Sequence, residues 1–476
     1  MPEDFSEQDV SRGERTKNLF MGLVSRTTDS LFYLIVFLFP IFALPYTNFP
    51  VAINKSYLVY FSILLLVVIY LASALRSGRI LVPKNLWSGF LIIFLAGTLA
   101  SSFFSKSPHV SFFGLASDVG SLGALTIFVV ALFLAFSISG SEGKGHRFFL
   151  ALGASFIFVF VFQFFQTILK IPLWPTLGRE LTFNLFGSWN ELGIFSGLMV
   201  LIAAMFAEAL PSSPLKIISL VMLAMALILT ALVNLNLVWW TLAALLVVHL
   251  AYLYSQRRDS RALFKVPFGV LIIIIIFIFT SALTADLINS LGIQFLEIRP
   301  SFMATLEVAQ KTLGENLLGY GPNTFVYAWF QHRPDDIVNT SFWQTRFNSG
   351  FGFIPTMVTT NGVISVLAFL AFLALFLFTG FKALVKASPA SFLLPVSFLG
   401  ALYLWIFAFI YAVGFPLVFL AFLMSGVFLG LAARRGATGS SSPRSQPWRP
   451  KEARTIFTTS AWSRLPATAT TMCGAE

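Results

Sequence analysis

Twelve runs of mostly apolar residues, each near the roughly 18 needed to cross a bilayer as a helix, dominate this chain. They lie near 29–46, 57–75, 86–104, 119–138, 148–168, 191–209, 216–233, 236–255, 266–284, 356–381, 389–411 and 414–432. Charged residues make up 11% of the 476 positions and hydrophobic ones 57%. An ordinary soluble domain carries about 25% charged residues, so too few remain here to coat a water-facing surface. In hydrocarbon every backbone N–H and C=O must be paired within the chain, which leaves helices or closed barrels. These runs are too long and too evenly apolar for barrel strands. The expected fold class is all-α, a polytopic helical membrane protein with about twelve spans. A soluble enzyme, a disordered chain and a nucleic-acid-binding domain are excluded. The single cysteine, Cys473, excludes a disulfide framework and a Cys-rich metal site. The finest boundary is the polar break Asn234-Leu235-Asn236 between two spans.

The net charge of +11 follows topology. Basic residues gather in the N-terminal segment, in alternate connections (Arg76, Arg79 and Lys84; Lys144 and Arg147; Lys216; Arg257 to Lys265; Lys382 and Lys386) and in the tail from Arg434. By the positive-inside rule these places are cytoplasmic, as are both termini. The excess charge reads as contact with anionic lipid, not nucleic acid. The expected division is a cytoplasmic segment 1–28, spans over 29–284, an outer loop 285–355, spans over 356–432 and a disordered tail 433–476. The polar start contains no cleavable leader, so the first span is expected to be the insertion signal.

The loop 285–355 is far longer than the other connections, and long loops in compact bundles usually carry function. Within it Ser301 can cap a helix whose stripe is Phe302, Leu306, Ala309 and Leu313, with Gly314 as a stop. The stripe should lie on the membrane surface or the bundle. Gly319-Tyr320-Gly321-Pro322-Asn323 reads as a turn. A polar and aromatic stretch follows, with Trp329, His332, Arg333, Asp335, Asp336, Trp343 and Arg346.

Four motifs share the outer face: Ser105-Lys106-Ser107-Pro108-His109-Val110-Ser111-Phe112-Phe113-Gly114; Gly187-Ser188-Trp189-Asn190-Glu191-Leu192-Gly193; Arg299 followed by Asn316-Leu317-Leu318-Gly319-Tyr320-Gly321-Pro322-Asn323-Thr324-Phe325; and Thr359-Thr360-Asn361-Gly362. In order and spacing, over about residues 30–380, the chain resembles the O-antigen ligase and O-antigen polymerase superfamily of bacterial envelope glycosyltransferases. One departure stands out. The His-Asn pair that many such ligases carry before the last motif falls on Phe351 and Gly352.

The resemblance implies transfer of a glycan from a polyprenyl-diphosphate carrier to an acceptor hydroxyl, at the outer face of the bacterial cytoplasmic membrane, without metal or cofactor. Such chemistry needs a cation for the departing diphosphate and a base for the acceptor proton. Arg299 is the first choice for the cation and Arg179 the next. His332 and Asp335 are candidate bases, as are Asp336, Glu180 and Glu191. Asn190, Gly319, Gly321, Arg333 and Arg346 complete the expected substrate contacts, and Trp329, Phe330 and Trp343 could stack on sugar rings. Plainer readings stand beside these. Arg299 is also placed to anchor at headgroups, 332–336 reads as a solvated turn, and Asn190 as the N-cap of the sixth span with Glu191 on its dipole. Two other classes stay open. One is a transporter or flippase of lipid-linked oligosaccharide, although the span middles carry almost no charge and no matching halves are evident. The other is an inactive relative that binds without turnover.

Overall fold

The computed structural model describes residues 24, 26–44, 47, 51–77, 85–114, 117–174, 180–210, 214–256, 264–293, 295–337, 340, 342–386 and 392–438. Among them the long elements are all helices. In chain order these are α1 (26–41), α2 (Ala52–Ser77), α3 (Leu86–Phe103), α4 (Pro108–Phe112), α5 (Leu122–Ile138), α6 (Glu142–Gln163, prolonged by a π turn at Phe164–Ile168), α7 (Trp189–Ala209), α8 (Pro214–Val233) and α9 (Asn236–Gln256). Then come α10 (Lys265–Phe279), α11 (Ser281–Ser290), α12 (Phe302–Glu315), α13 (Phe325–His332), α14 (Phe353–Thr360), α15 (Gly362–Lys386), α16 (Leu393–Ile410) and α17 (Phe415–Thr438).

Among the described residues nine helices are long and apolar enough to cross a bilayer: α2, α3, α6, α7, α8, α9, α15, α16 and α17. The first and fourth expected spans correspond to the shorter α1 and α5. The ninth, 266–284, is not one straight helix. α10 and α11 meet at 73°, where the apolar run gives way to Thr280 and Thr280 Oγ1 turns back on the Ile276 carbonyl at 2.8 Å. The tenth, 356–381, is likewise divided between α14 and α15, at Asn361-Gly362. The break at Asn234 is as expected, with Asn234 itself at φ +51°. α17 runs to Thr438, beyond the expected end of the last span; the tail from 439 lies outside the described residues.

α7, α16 and α17 are almost wholly buried and form the centre, whereas α2 turns much of its surface outward. Lipid tails are as apolar as leucine, so helices meet in a membrane through close packing at small residues. Gly426 and Gly430, four apart on α17, bring that helix onto α5. A Cβ at Gly426 would lie 2.3 Å from the Leu132 carbonyl oxygen, and one at Gly430 would lie 2.6 Å from that of Phe136.

Between α11 and α14 the chain builds its own small core from Ala304, Val308, Tyr320, Phe325, Ala328, Trp329 and Phe347. Ser301 caps α12 as expected, accepting from Ala304 N at 3.1 Å. The buried face differs from the expected stripe: Ala304, Thr305, Val308, Ala309 and Thr312 face inward, and Phe302 and Leu306 stay exposed. Gly314 lies inside the helix, which ends at Glu315. The stop is Asn316, whose side chain accepts from Leu318 N at 2.9 Å and donates to the Gly319 carbonyl at 3.1 Å.

This segment is clasped to the bundle by backbone. Tyr320 N and Gly321 N donate to the carbonyls of Thr359 and Thr360 at 3.2 and 2.9 Å, and Val363 N donates to Leu317 O at 3.0 Å. Ser101 Oγ reaches the Leu318 carbonyl at 2.6 Å, Ser105 Oγ reaches Tyr320 O at 3.1 Å, and Ser111 Oγ reaches Pro322 O at 2.8 Å. Three of the four motifs therefore interlock. Gly362 takes φ +74° and Gly321 φ +109°, and a Cβ there would sit 2.4 Å from Leu318 C and 2.0 Å from Ser105 Oγ.

Gly362→Ala should therefore destabilise the protein by more than about 1 kcal/mol, because both φ and space oppose a side chain. Gly314→Ala, in a helix with nothing within 4 Å of the new carbon, should stabilise it by roughly 0.5–1 kcal/mol. Thermal unfolding of the two purified variants checks the opposite signs.

Candidate functional site

Polar side chains converge where the extended chain 295–300 crosses the ends of α7, α14 and α16. Arg299 Nη1 donates to the carbonyls of Phe351 at 3.1 Å and Ile410 at 3.0 Å. Its guanidinium carbon stands 5.0 Å from the Phe351 ring centre and 4.5 Å from that of Tyr411, so both rings add cation–π attraction. Among the described residues only Nη1 is engaged; the Nε and Nη2 donors of this half-buried side chain are free for an anion. Next to it Glu297 Oε2 accepts from Asn190 Nδ2 at 2.9 Å and from the Tyr411 hydroxyl. Burial, followed by that bond to Glu297, pushes the Tyr411 hydroxyl well above the usual phenol range, so it stays a donor.

The N-terminus of α7 is fixed differently from the expectation. Ser188, not Asn190, is the N-cap. Ser188 Oγ accepts from Glu191 N at 3.2 Å, and Glu191 Oε2 accepts from Ser188 N at 2.8 Å, forming a capping box. Glu191 Oε1 also accepts from Gly414 N at 2.7 Å. With both carboxylate oxygens held by backbone, Glu191 pins α7 to the α16–α17 connection. Lys55 is fully buried and donates to the Phe39 and Pro40 carbonyls at 2.6 and 2.8 Å. It thereby satisfies the end of α1.

A second cluster lies on the loop segment. His332, expected in a solvated turn, is instead 9% exposed, at the end of α13. Its Nε2 is 2.7 Å from the Tyr320 oxygen and 3.4 Å from Glu315 Oε1. The Tyr320 hydroxyl has one proton and donates it to Glu315 Oε2. His332 therefore donates from Nε2, which leaves Nδ1 as the basic nitrogen of the neutral ring. Lys106 Nζ lies over the Tyr320 ring at 5.0 Å. The hydrogen bond from Tyr320 holds the exposed Glu315 carboxyl below its ordinary range, with His332 and Lys106 adding to the effect, and burial and Glu315 raise Tyr320.

The other expected residues scatter. Gly319 and Gly321 are buried in the clasp. Arg333 donates to the Trp343 carbonyl and lies 4.8 Å from the Trp343 ring centre. Asp335 and Arg346 are exposed. Arg179 lies outside the described residues, as does the side chain of Asp336. Trp329 cannot stack on a sugar, because it is completely buried in the loop core; Phe330 and Trp343 keep about two-fifths of their surface, at 40% and 41% exposure. Among the described residues no three His, Cys, Asp or Glu side chains come together as metal ligands.

An apolar groove of about 150 Å³, which Arg299 itself does not line, is walled by Phe302, Leu306, Pro355, Val358, Leu370 and Phe409 among others. Phe302 packs edge-on against Phe351 at 5.6 Å, the ring under the Arg299 guanidinium. The displaced stripe of α12 thus forms one wall of this groove. Sequence reasoning missed Glu297, Tyr411, Glu315 and Tyr320 as site residues. Tyr320 lies within a motif and Glu297 and Glu315 lie close to motif residues, which without pairing information marks them no more than their neighbours; Tyr411 is in no motif.

Because Glu315 has a folded pKa below its unfolded one, its contribution is complete above the ordinary carboxylate value of about 4.3 and disappears as pH falls through the lower folded value. Protease protection of residues 302–332 should hold at about pH 5 and fail only in stronger acid. Tyr320→Phe should move that failure to higher pH. Comparison with protein-family models and with curated proteins gives no match to this chain.

Proposed function

We propose that this chain is an O-antigen ligase- or polymerase-like transferase of about twelve spans, moving a glycan from a polyprenyl-diphosphate carrier to an acceptor at the outer face of the bacterial cytoplasmic membrane. The observation that supports the reading is the free edge of the Arg299 guanidinium, linked through the Phe351 ring to Phe302 in the wall of an apolar groove. A lipid diphosphate needs that pairing: a bidentate cation for the anionic head and an apolar channel for the first isoprene units.

In this mechanism Arg299 Nε and Nη2 hold the diphosphate and stabilise the charge it gains as the glycosidic C–O bond breaks. The acceptor hydroxyl forms the new bond at the same carbon and gives up its proton. His332 Nδ1 is the proposed base, because its Nε2 proton is already committed to Tyr320. Tyr320 and Glu315 orient the ring and stabilise the imidazolium that results. This assignment answers the absence of the His-Asn pair at Phe351 and Gly352. The backbone carbonyl of Phe351 instead helps to aim Arg299.

A second reading, a carrier of lipid-linked oligosaccharide, is favoured by the 73° break between α10 and α11, since broken helices recur in transporters. Arg299→Ala should lower glycan transfer by about 100-fold or more, the cost of losing a charge-stabilising donor. Arg299→Lys should recover part of it, with a point charge in place of a fork. Transfer from a defined lipid-linked glycan by purified variants in vesicles is the measurement. Full activity of the alanine variant would remove Arg299 from the mechanism. Movement of the intact donor across the bilayer without transfer would select the carrier reading.

A further inference from the structure

A second cavity, of about 220 Å³, lies at the opposite end of the bundle from the Arg299 site, between α6, α7 and α8. Its walls are apolar, among them Phe149, Ile157, Ile202, Phe206, Leu215 and Met222. This wedge between helices is lined from His146, Leu210 and Leu215 to Ile157 and Met222, and α6 and α8 touch at Gly153, where a Cβ would be 3.1 Å from Met222 Sδ. The wedge opens sideways, past Leu150, Leu215 and Ile218, which are 56%, 49% and 51% exposed.

Of the two polar residues in the wall, only the Nε2 of His146 is left without a hydrogen-bond partner among the described residues. Ser219 Oγ donates to the Leu215 carbonyl at 2.9 Å, and His146 Nδ1 pairs with the Glu142 carbonyl at 2.9 Å. The rim is different. Lys216, half-buried in the first turn of α8, and Arg147, exposed in the second turn of α6, directly follow the lining residues Leu215 and His146 in sequence without lining the cavity themselves. Neither makes an ion pair among the described residues, whereas the neighbouring Lys144 is taken by Asp29 at 2.7 Å. The carboxylates nearby, Glu142 and Glu208, do not line the cavity.

We infer that this wedge is a binding site for one acyl chain of an anionic phospholipid, whose phosphate sits at the rim by Lys216 and Arg147. An apolar slot with the exposed side chains of Leu150, Leu215 and Ile218 in its wall matches an acyl chain. Uncommitted cations at the level of the headgroups match an anionic head. The lipid wedges α6 apart from α7 and α8 at this end, where the side chains themselves leave the gap. The site is independent of the transferase reading.

The test uses the full chain in vesicles that contain phosphatidylglycerol or phosphatidylcholine with a photoreactive group near the chain end. Phosphatidylglycerol should label peptides within 146–157 and 215–222 in clear excess over the outward face of α2, and phosphatidylcholine should label them less. Lys216→Gln should cut the phosphatidylglycerol labelling about fivefold, as expected for one lysine near an anionic headgroup. Ala154→Phe, which fills the wedge from its wall, should abolish the excess, and Ala154→Ser should keep it. Equal labelling by the two lipids in the unaltered protein would overturn the inference, with no variant needed. Labelling spread evenly over all outward helices would do the same.

Discussion

The backbone pairing of Tyr320 and Gly321 with the carbonyls of Thr359 and Thr360 is the contact on which the rest of the loop end depends. It is possible because α14 stops at Thr360 and α15 restarts at Gly362, which exposes carbonyls that an unbroken helix would keep. Those freed groups would be costly if left unpaired beside hydrocarbon. The loop segment supplies the donors, and serines 101, 105 and 111 close the remaining valences. A break in a span and the attachment of a distant segment are thus one feature.

A chain with so few charges uses nearly all of those near the site structurally. Lys55 satisfies the end of α1, Glu191 staples α7 to Gly414, and Glu297 gathers Asn190 and Tyr411. Arg299 alone among these keeps a substantial donor surface, although it too is aimed by two carbonyls and two rings. A side chain held by its neighbours loses little entropy on meeting an anion. The same physics separates the two cavities. The groove at the loop end lies three residues along the chain from a guanidinium held by the fold, whereas the cavity at the other end has no Lys, Arg, Asp or Glu in its lining.

Much of the architecture was legible in the amino acids. Long uncharged runs dictate membrane helices, because backbone pairing in lipid permits little else, and nine such helices are present among the described residues. The polar break at Asn234, the cap at Ser301 and the unusual weight of the 285–355 region follow from local chemistry that a one-dimensional reading can see. On α12 the small residues Ala304, Thr305 and Val308 pack closest to the loop core, while Phe302, Leu306 and Ala309 of the expected stripe border the groove against the bundle.

What only tertiary structure decided is which distant polar groups meet. Glu297 and Asn190 are 107 positions apart, and Arg299 and Ile410 are 111 apart; no periodicity encodes such pairs. Hydropathy averages over a window, so it could not show that Gly362 splits a span, that Lys55 is sealed inside, or that His332 turns inward to Tyr320. The sequence by itself determined where the chain can be in lipid, because that depends on the transfer energy of each segment taken alone. The fold decided which polar groups from separate helices meet, because that depends on hydrogen-bond partners brought to within about 3 Å.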